Sequence, residues 1–307
     1  MRKIKFIGLG LVAFFILAIL ILWILYALRN IETSEMDAAA RKDVPGRFIS
    51  LSGGVTHYEI AGADTGKTVI LVHGYSVPYY IWDNIFDSLV RNGYHVVRYD
   101  EFGRGYSDRL AVDYLPALYR EQLYDLIYAL QVKTPVSLMG VSFGGAVTTD
   151  FVVHHPDLVD KLVLVDPVFH FKKPGGPEFI NDFILAGHHE EAARGQLDDF
   201  KYPGHFPGWV ERYKIQMRYK GFRHALISTS EHYAEDTIMA NYRRLDSLKK
   251  NILLIWGRDD KTVPFVFSDS LRKRLHVQFF PVTDAAHLPY LEQPALVTAR
   301  MISFLKE

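Results

Sequence analysis

The chain carries the parts of a nucleophilic serine system in a usable order. Val136 to Val141 is a short apolar run that leads into Gly140-Val141-Ser142-Phe143-Gly144, and Ala146 to Val153 then has the composition of a helix. A serine at the tip of a strand-turn-helix is held in a strained backbone conformation with its hydroxyl pointing out of the sheet. Small residues two before and two after it let strand and helix approach without Cβ clashes. The N–H of Phe143 would open the helix and face a developing oxyanion. A serine is a weak nucleophile, so it needs a base to take its proton and an acid to orient that base. Two later segments supply them: Gly257-Arg258-Asp259-Asp260 after one apolar run, and Asp284-Ala285-Ala286-His287 after another.

Those groups are 118 and 27 residues apart, so only tertiary structure can join them. Apolar runs supply the means. Thr68–Val72, His95–Tyr99, Val136–Val141, Lys161–Asp166, Asn251–Trp256 and Val277–Phe280 read as strands, several of them uninterrupted as in strands buried on both faces. Arg47–Ser52 and Val55–Ile60 flank Gly53-Gly54 as a hairpin. Helical spacing appears around Trp82 to Val90, Tyr119 to Leu130, Val266 to Leu275 and Pro294 to Leu305. Strands alternating with helices predict an α/β fold, a mainly parallel sheet of eight strands covered on both faces. Their C-terminal ends line one edge, where Ser142, an aspartate and His287 can meet. The alternation breaks between about 169 and 232, a stretch rich in Phe, Tyr and Trp, which reads as a helical cap inserted into the domain.

Composition excludes other chemistries. With 307 residues, 49% hydrophobic, the chain can bury a large core. Lys+Arg and Asp+Glu are 35 each, so no field attracts nucleic acid. The absence of cysteine removes thiolate catalysis, disulfides and Cys-ligated zinc. Six histidines of the cap region, His170, His188, His189, His205, His224 and His232, lack metal-ligand spacing. Gly103-x-Gly105 lacks the third glycine and the helix of a phosphate-binding turn, and Asp100 and Arg104 in that loop read as loop-fixing residues. Neither cofactor nor metal is expected.

From Phe6 to Leu28 no residue is charged, which as a helix spans about 35 Å and crosses a bilayer. Residues 1–29 are therefore expected to form a membrane anchor. Arg2, Lys3 and Lys5 precede the segment, whereas Glu32, Glu35 and Asp37 follow Arg29, which places the N-terminus in the cytoplasm and the remainder outside. A cleaved signal peptide is the rival, although Ala38-Ala39-Ala40 comes about ten residues late for its cleavage site. Residues 30–45 read as a flexible linker with a reach of about 20–25 Å, and 46–307 as the catalytic domain.

Five ordered segments carry a family resemblance: His73-Gly74-Tyr75, Asp100 to Ser107, Gly140 to Gly145, Trp256-Gly257 with Asp260 and Pro264, and His287 with Glu292 and Pro294. Over residues 46–307 the chain resembles the α/β-hydrolases of the capped serine type. The resemblance implies Ser142 as nucleophile, His287 as general base and then acid, and Asp260, rather than Asp259, as the residue that fixes the imidazole tautomer. It also implies backbone N–H groups of Tyr75 and Phe143 as the oxyanion hole. Asp166, after its own strand, is the alternative acid. Serine at the elbow departs from the dehalogenase and epoxide-hydrolase relatives, which carry aspartate there. Two activities remain, hydrolysis of carboxylic esters and hydrolysis of carbon–carbon bonds in ring-cleavage products. Leu288 stands where the second group has tryptophan. The anchor and the aromatic cap favour an apolar, monoacylglycerol-like ester, with Phe206 and Trp209 expected along an acyl channel. A reading of another class is a catalytically silent binding module on the same fold.

Overall fold

The computed structural model describes residues 2–169, 171, 173–233 and 235–307. Its eight strands are β1 (Arg47–Leu51), β2 (Gly54–Ala61), β3 (Thr68–Val72), β4 (His95–Tyr99), β5 (Val136–Val141), β6 (Val159–Val165), β7 (Asn251–Gly257) and β8 (Gln278–Val282). They form one sheet in the order β1-β2-β4-β3-β5-β6-β7-β8. β2 runs antiparallel to β1 and β4, and every pair from β4-β3 to β7-β8 is parallel.

The helices are, in order, α1 (Arg2–Arg29), α2 (Ala38–Arg41), α3 (Asp83–Arg91), α4 (Pro116–Ala129), α5 (Phe143–His154), α6 (Glu178–Gly187), α7 (His189–Gly195), α8 (Trp209–Met217), α9 (Phe222–His232), α10 (Glu235–Ser247), α11 (Val266–Arg272), α12 (Pro289–Glu292) and α13 (Pro294–Lys306). Strands buried on both faces divide their side chains alternately between two cores. Ile70, Val72, Leu138, Leu162, Leu254 and Trp256 join α4, α5 and α10 on one face. Val69, Leu71, Met139, Val163, Leu253 and Ile255 join α3 and α13 on the other. This is why the strands read as unbroken apolar runs.

Helices α4 and α10 differ from expectation. α4 starts a turn earlier than Tyr119, because Pro116 at its first position needs no N–H partner and is set for helical φ. α10 was not anticipated, although Ile238, Met239, Tyr242 and Leu245 repeat at helical spacing and pack on α5. Between β6 and β7, α6 to α9 stand above the sheet edge.

Residues 30–45 are not a free coil. The Glu32 carboxylate accepts the N–H groups of Gly221 (3.0 Å) and Arg223 (2.7 Å), satisfying donors at the start of α9 that the helix cannot satisfy itself. Arg223 Nη1 lies 3.4 Å from the same carboxylate, and Ser34 pairs with Tyr219 as a short parallel bridge. Farther on, Arg41 Nε donates to the Tyr106 carbonyl and its Nη2 to Asp108, and the Pro45 carbonyl contacts His57 Nε2 at 2.8 Å. The coil estimate failed because these partners lie far away in sequence.

Candidate active site

The three chemically suited side chains stand at the C-terminal ends of β5, β7 and β8. Ser142 follows β5 with φ 53°, ψ −118°, a left-handed backbone that a non-glycine residue adopts only when its surroundings enforce it. They do: its N–H donates to Val165 O (2.9 Å), while its carbonyl accepts from Gly145 N and Val168 N, both at 3.0 Å. The turn tolerates no larger flank. A Cβ on Gly140 would lie 2.3 Å from Gly144 O, and one on Gly144 would lie 2.3 Å from His73 O and 2.4 Å from Val72 O.

His287 is 3% exposed, and its Nδ1 donates to Asp260 Oδ2 at 2.8 Å. Asp260 is held in turn by the N–H groups of Thr262 (2.8 Å) and Val263 (2.9 Å), both of which donate to its Oδ1. The histidine loop is fixed from two sides. A Cβ on Gly257 would sit 1.8 Å from Ala286 O, so the end of β7 touches the loop backbone. Glu292 accepts from Ala286 N (2.6 Å) and from Lys201 N (2.7 Å) and Tyr202 N (3.1 Å), while His287 N donates to Asp199 O (3.0 Å). Cap residues 199–202 and the imidazole therefore keep a fixed relation.

Burial disfavours charge on His287, but the Asp260 carboxylate and its hydrogen bond, with Asp199 nearby, outweigh it and raise the imidazole pKa above the ordinary value. Asp199 is itself raised by burial.

Asp166 is fully buried beside this pair. Its Oδ1 accepts from Gly257 N at 2.9 Å and its Oδ2 has no protein partner among the described residues. Burial first, then the neighbouring Asp260 charge, push the pKa of its carboxyl well above the usual range, which favours the protonated form. Ligand atoms of Asp166, Asp260 and His287 lie within 4.8 Å of one another.

Ser142, Tyr75 and His287 line a cleft of about 850 Å³. Ser142 Oγ and the N–H groups of Tyr75 and Phe143 form no hydrogen bond to protein among the described residues. Tyr75 is steadied through its carbonyl, which takes Arg104 Nε at 2.9 Å, and its hydroxyl, which donates to Leu226 O. Phe143 is buried among Tyr119, Tyr233 and Phe171. Asp100 and Arg104 hold loops: Asp100 accepts Tyr79 N (2.8 Å) and Tyr106 N (2.9 Å). His73 is kept neutral by burial, with its pKa lowered to about 4. Its Nδ1 donates to Gly74 O and its Nε2 accepts Glu101 N.

The cleft wall departs from the expected acyl channel. Phe206 and Trp209 are absent from it; Phe206 stacks on Phe200 at 4.0 Å, Trp209 meets the same ring edge-on at 5.0 Å, and Trp209 also meets Tyr80. The wall combines Val77, Ile81, Leu197, Phe200 and Leu288 with Asp198, Asp199, Lys201 and Lys261. Of the cap histidines, His170 lies outside the described residues, and none of the others joins a three-ligand cluster among them.

A family model described as "Alpha/beta hydrolase family" matches residues 69–300. An uncharacterised protein of Mycobacterium tuberculosis is 32% identical over 39% of this chain and 34% of its own length, so the chain spans about a third of that relative. A 2-hydroxy-6-oxo-6-(2'-aminophenyl)hexa-2,4-dienoic acid hydrolase of Metapseudomonas resinovorans is 27% identical over 71% of this chain and 76% of the relative. Lipase 1 of Psychrobacter immobilis is 25% identical over 78% and 77%. Among solved structures, a meta-cleavage product hydrolase has TM-score 0.72 at 24% identity, covering 85% of this chain and 98% of its own. An esterase from Exiguobacterium antarcticum has TM-score 0.71 at 19% identity, covering 85% and 100%. At these identities the structural likenesses establish the fold.

Proposed function

Because the chain belongs to the alpha/beta hydrolase family, we propose that it is a membrane-anchored serine hydrolase that cleaves carboxylic esters with an apolar acyl group. The observation that carries this reading is the 2.8 Å contact of Asp260 with His287 in the cleft that Ser142 enters from a strained turn. Asp260 fixes the tautomer with the proton on Nδ1, leaving Nε2 as the base. Nε2 takes the Ser142 proton as Oγ attacks the ester carbonyl, and the oxyanion receives the N–H groups of Tyr75 and Phe143, each donor being worth about 2.7–4 kcal/mol of barrier. The imidazolium then gives its proton to the leaving alcohol. Water, deprotonated by the same nitrogen, hydrolyses the acyl-enzyme.

Residues 46–307 form the catalytic domain in this reading, with the cap inserted at about 169–232. Residues Leu11–Arg29 are long and apolar enough to cross a membrane. The charge distribution around them supports a hydrolase domain on the non-cytoplasmic side.

The test is labelling with a fluorophosphonate, which must be lost in Ser142→Ala, combined with an acyl series from two to ten carbons. Each buried CH₂ contributes about 0.8 kcal/mol, so kcat/KM should climb with length until the wall of Ile81, Leu197 and Leu288 is filled. Equal values at both ends would sink the apolar-acyl assignment. A silent binding module would take no label. The names of the Metapseudomonas and meta-cleavage relatives support a second reading, carbon–carbon hydrolysis of a ring-cleavage product. Turnover of such a dienoate with no turnover of any ester would establish it.

A further inference from the structure

The outer face of helix α6 is largely exposed, with Tyr26 against Phe183 at one side of it. Phe179, Ile180, Phe183 and Ile184 are 73, 42, 36 and 50% exposed. At 100° per residue they occupy an arc of about 140°. The polar groups of the same helix are turned away from that face and paired. Asp182 takes Tyr26 OH and Arg223 Nε, each at 2.7 Å, Glu178 contacts His224, and the Asn181 amide donates to Gly176 O. An apolar stripe with its charges satisfied on the opposite side is the pattern of a helix that lies in a bilayer interface.

The neighbouring element says what covers it. Tyr26, near the end of the membrane-crossing segment, stacks on Phe183 with ring centroids 6.1 Å apart and hydrogen-bonds Asp182. A tyrosine at the end of a span sits at headgroup level, so α6 begins at the depth where that span leaves the hydrocarbon. The Glu32–Arg223–Asp182 contacts hold it there.

We propose that α6 is a second membrane contact, with its Phe179–Ile184 face seated in the leaflet from which α1 emerges. This rests on the reading of α1 as a membrane span, and the experiment separates the two. The chain has no cysteine, so single cysteines can carry an environment-sensitive fluorophore without background. The full chain is reconstituted in phosphatidylcholine/phosphatidylglycerol vesicles containing lipids spin-labelled near the headgroup or deep in the acyl chain. The labels are placed at Leu17→Cys, Phe179→Cys, Ile184→Cys and Leu296→Cys. Leu296, 49% exposed on α13, is the matched control for Ile184. Each variant must keep the parental melting temperature.

The expected result is blue-shifted emission and quenching by the shallow spin label at 179 and 184, deep quenching at 17, about 14 Å farther along α1 than Tyr26, and neither effect at 296. Deep quenching at 17 with 179 and 184 still open to aqueous iodide would overturn the proposal and leave the span intact. Loss of quenching at 17 would remove the span and the proposal together. Protection of 179 and 184 from iodide without lipid quenching would mean that protein, such as a second copy, covers the face, and would also overturn it.

Discussion

Two aspartates compete for the role beside His287, and their substitution by asparagine separates them. Asp260 Oδ2 accepts the imidazole Nδ1–H at 2.8 Å, so an amide there presents either a poorer acceptor or a donor that forces the wrong tautomer. In a serine triad this loss is about 10⁴-fold in kcat, or about 5.4 kcal/mol at 1.36 kcal/mol per decade. Asp166 differs in its protonation. Burial and the Asp260 charge push its pKa well up, which favours the uncharged form, and its Oδ1 accepts Gly257 N. Asparagine copies both features, and it tolerates the φ of 42° at this position. Asp166→Asn should therefore change at most one ordinary hydrogen bond, about 1 kcal/mol, and lower kcat/KM by less than about tenfold. Asp166→Ala removes the acceptor and leaves a buried N–H unpaired, so about 1–3 kcal/mol of stability is lost. Release of p-nitrophenol from a short-chain ester, measured alongside melting temperatures, reads all three variants. A larger loss in kcat/KM for Asp166→Asn than for Asp260→Asn would refute the assignment of the acid.

His287 must be neutral to accept a proton, and its pKa is raised, so activity should fall as pH drops through a value above about 6.5. In the pH profile of kcat/KM, Asp260→Asn should move that acid limb downward, and an upward move would contradict the electrostatic account. Arg223→Met removes the counter-ion of the 7%-exposed Glu32 and should cost about 3 kcal/mol, the low end for a broken buried pair because Glu32 keeps its two backbone N–H donors and Asp182 keeps access to water. Denaturant melts that match the parent would show that the tether contributes nothing. Gly144→Ala drives a Cβ into two backbone carbonyls and should cost about 3 kcal/mol or more, whereas Gly208→Ala meets nothing and should stay within about 0.5 kcal/mol.

The sheet could be read from the chain because strands such as Thr68–Val72 and Val136–Val141 are covered on both faces and so leave no polar alternation to confuse them. The elbow could be read because its strain demands glycine at fixed offsets. The closeness of Asp166 to Asp260 was within reach too. Val165 pairs with Ile255 in parallel register, which sets the residues after both strands side by side. What could not be read were contacts whose partners are far apart and not marked by type. Glu32 looks like any linker acid until Arg223, 191 residues later, is beside it. Phe206 and Trp209 look like pocket walls until Phe200 is found between them and the cleft.

The contacts of Glu32 and Ser34 also bear on how the cap moves. An inserted subdomain is joined to its host by two chain crossings, and a body pinned at two points turns about the line between them. Here a third pin is added at the turn before α9. The 11 residues of α9 separate it by about 16 Å from the crossing that follows His232. The same segment is fastened below by Arg41 and Pro45. A plate pinned at three separated points has no axis left to turn on. With that third pin in place, rotation of the cap about the line between its two crossings would first require residues 32–35 to let go.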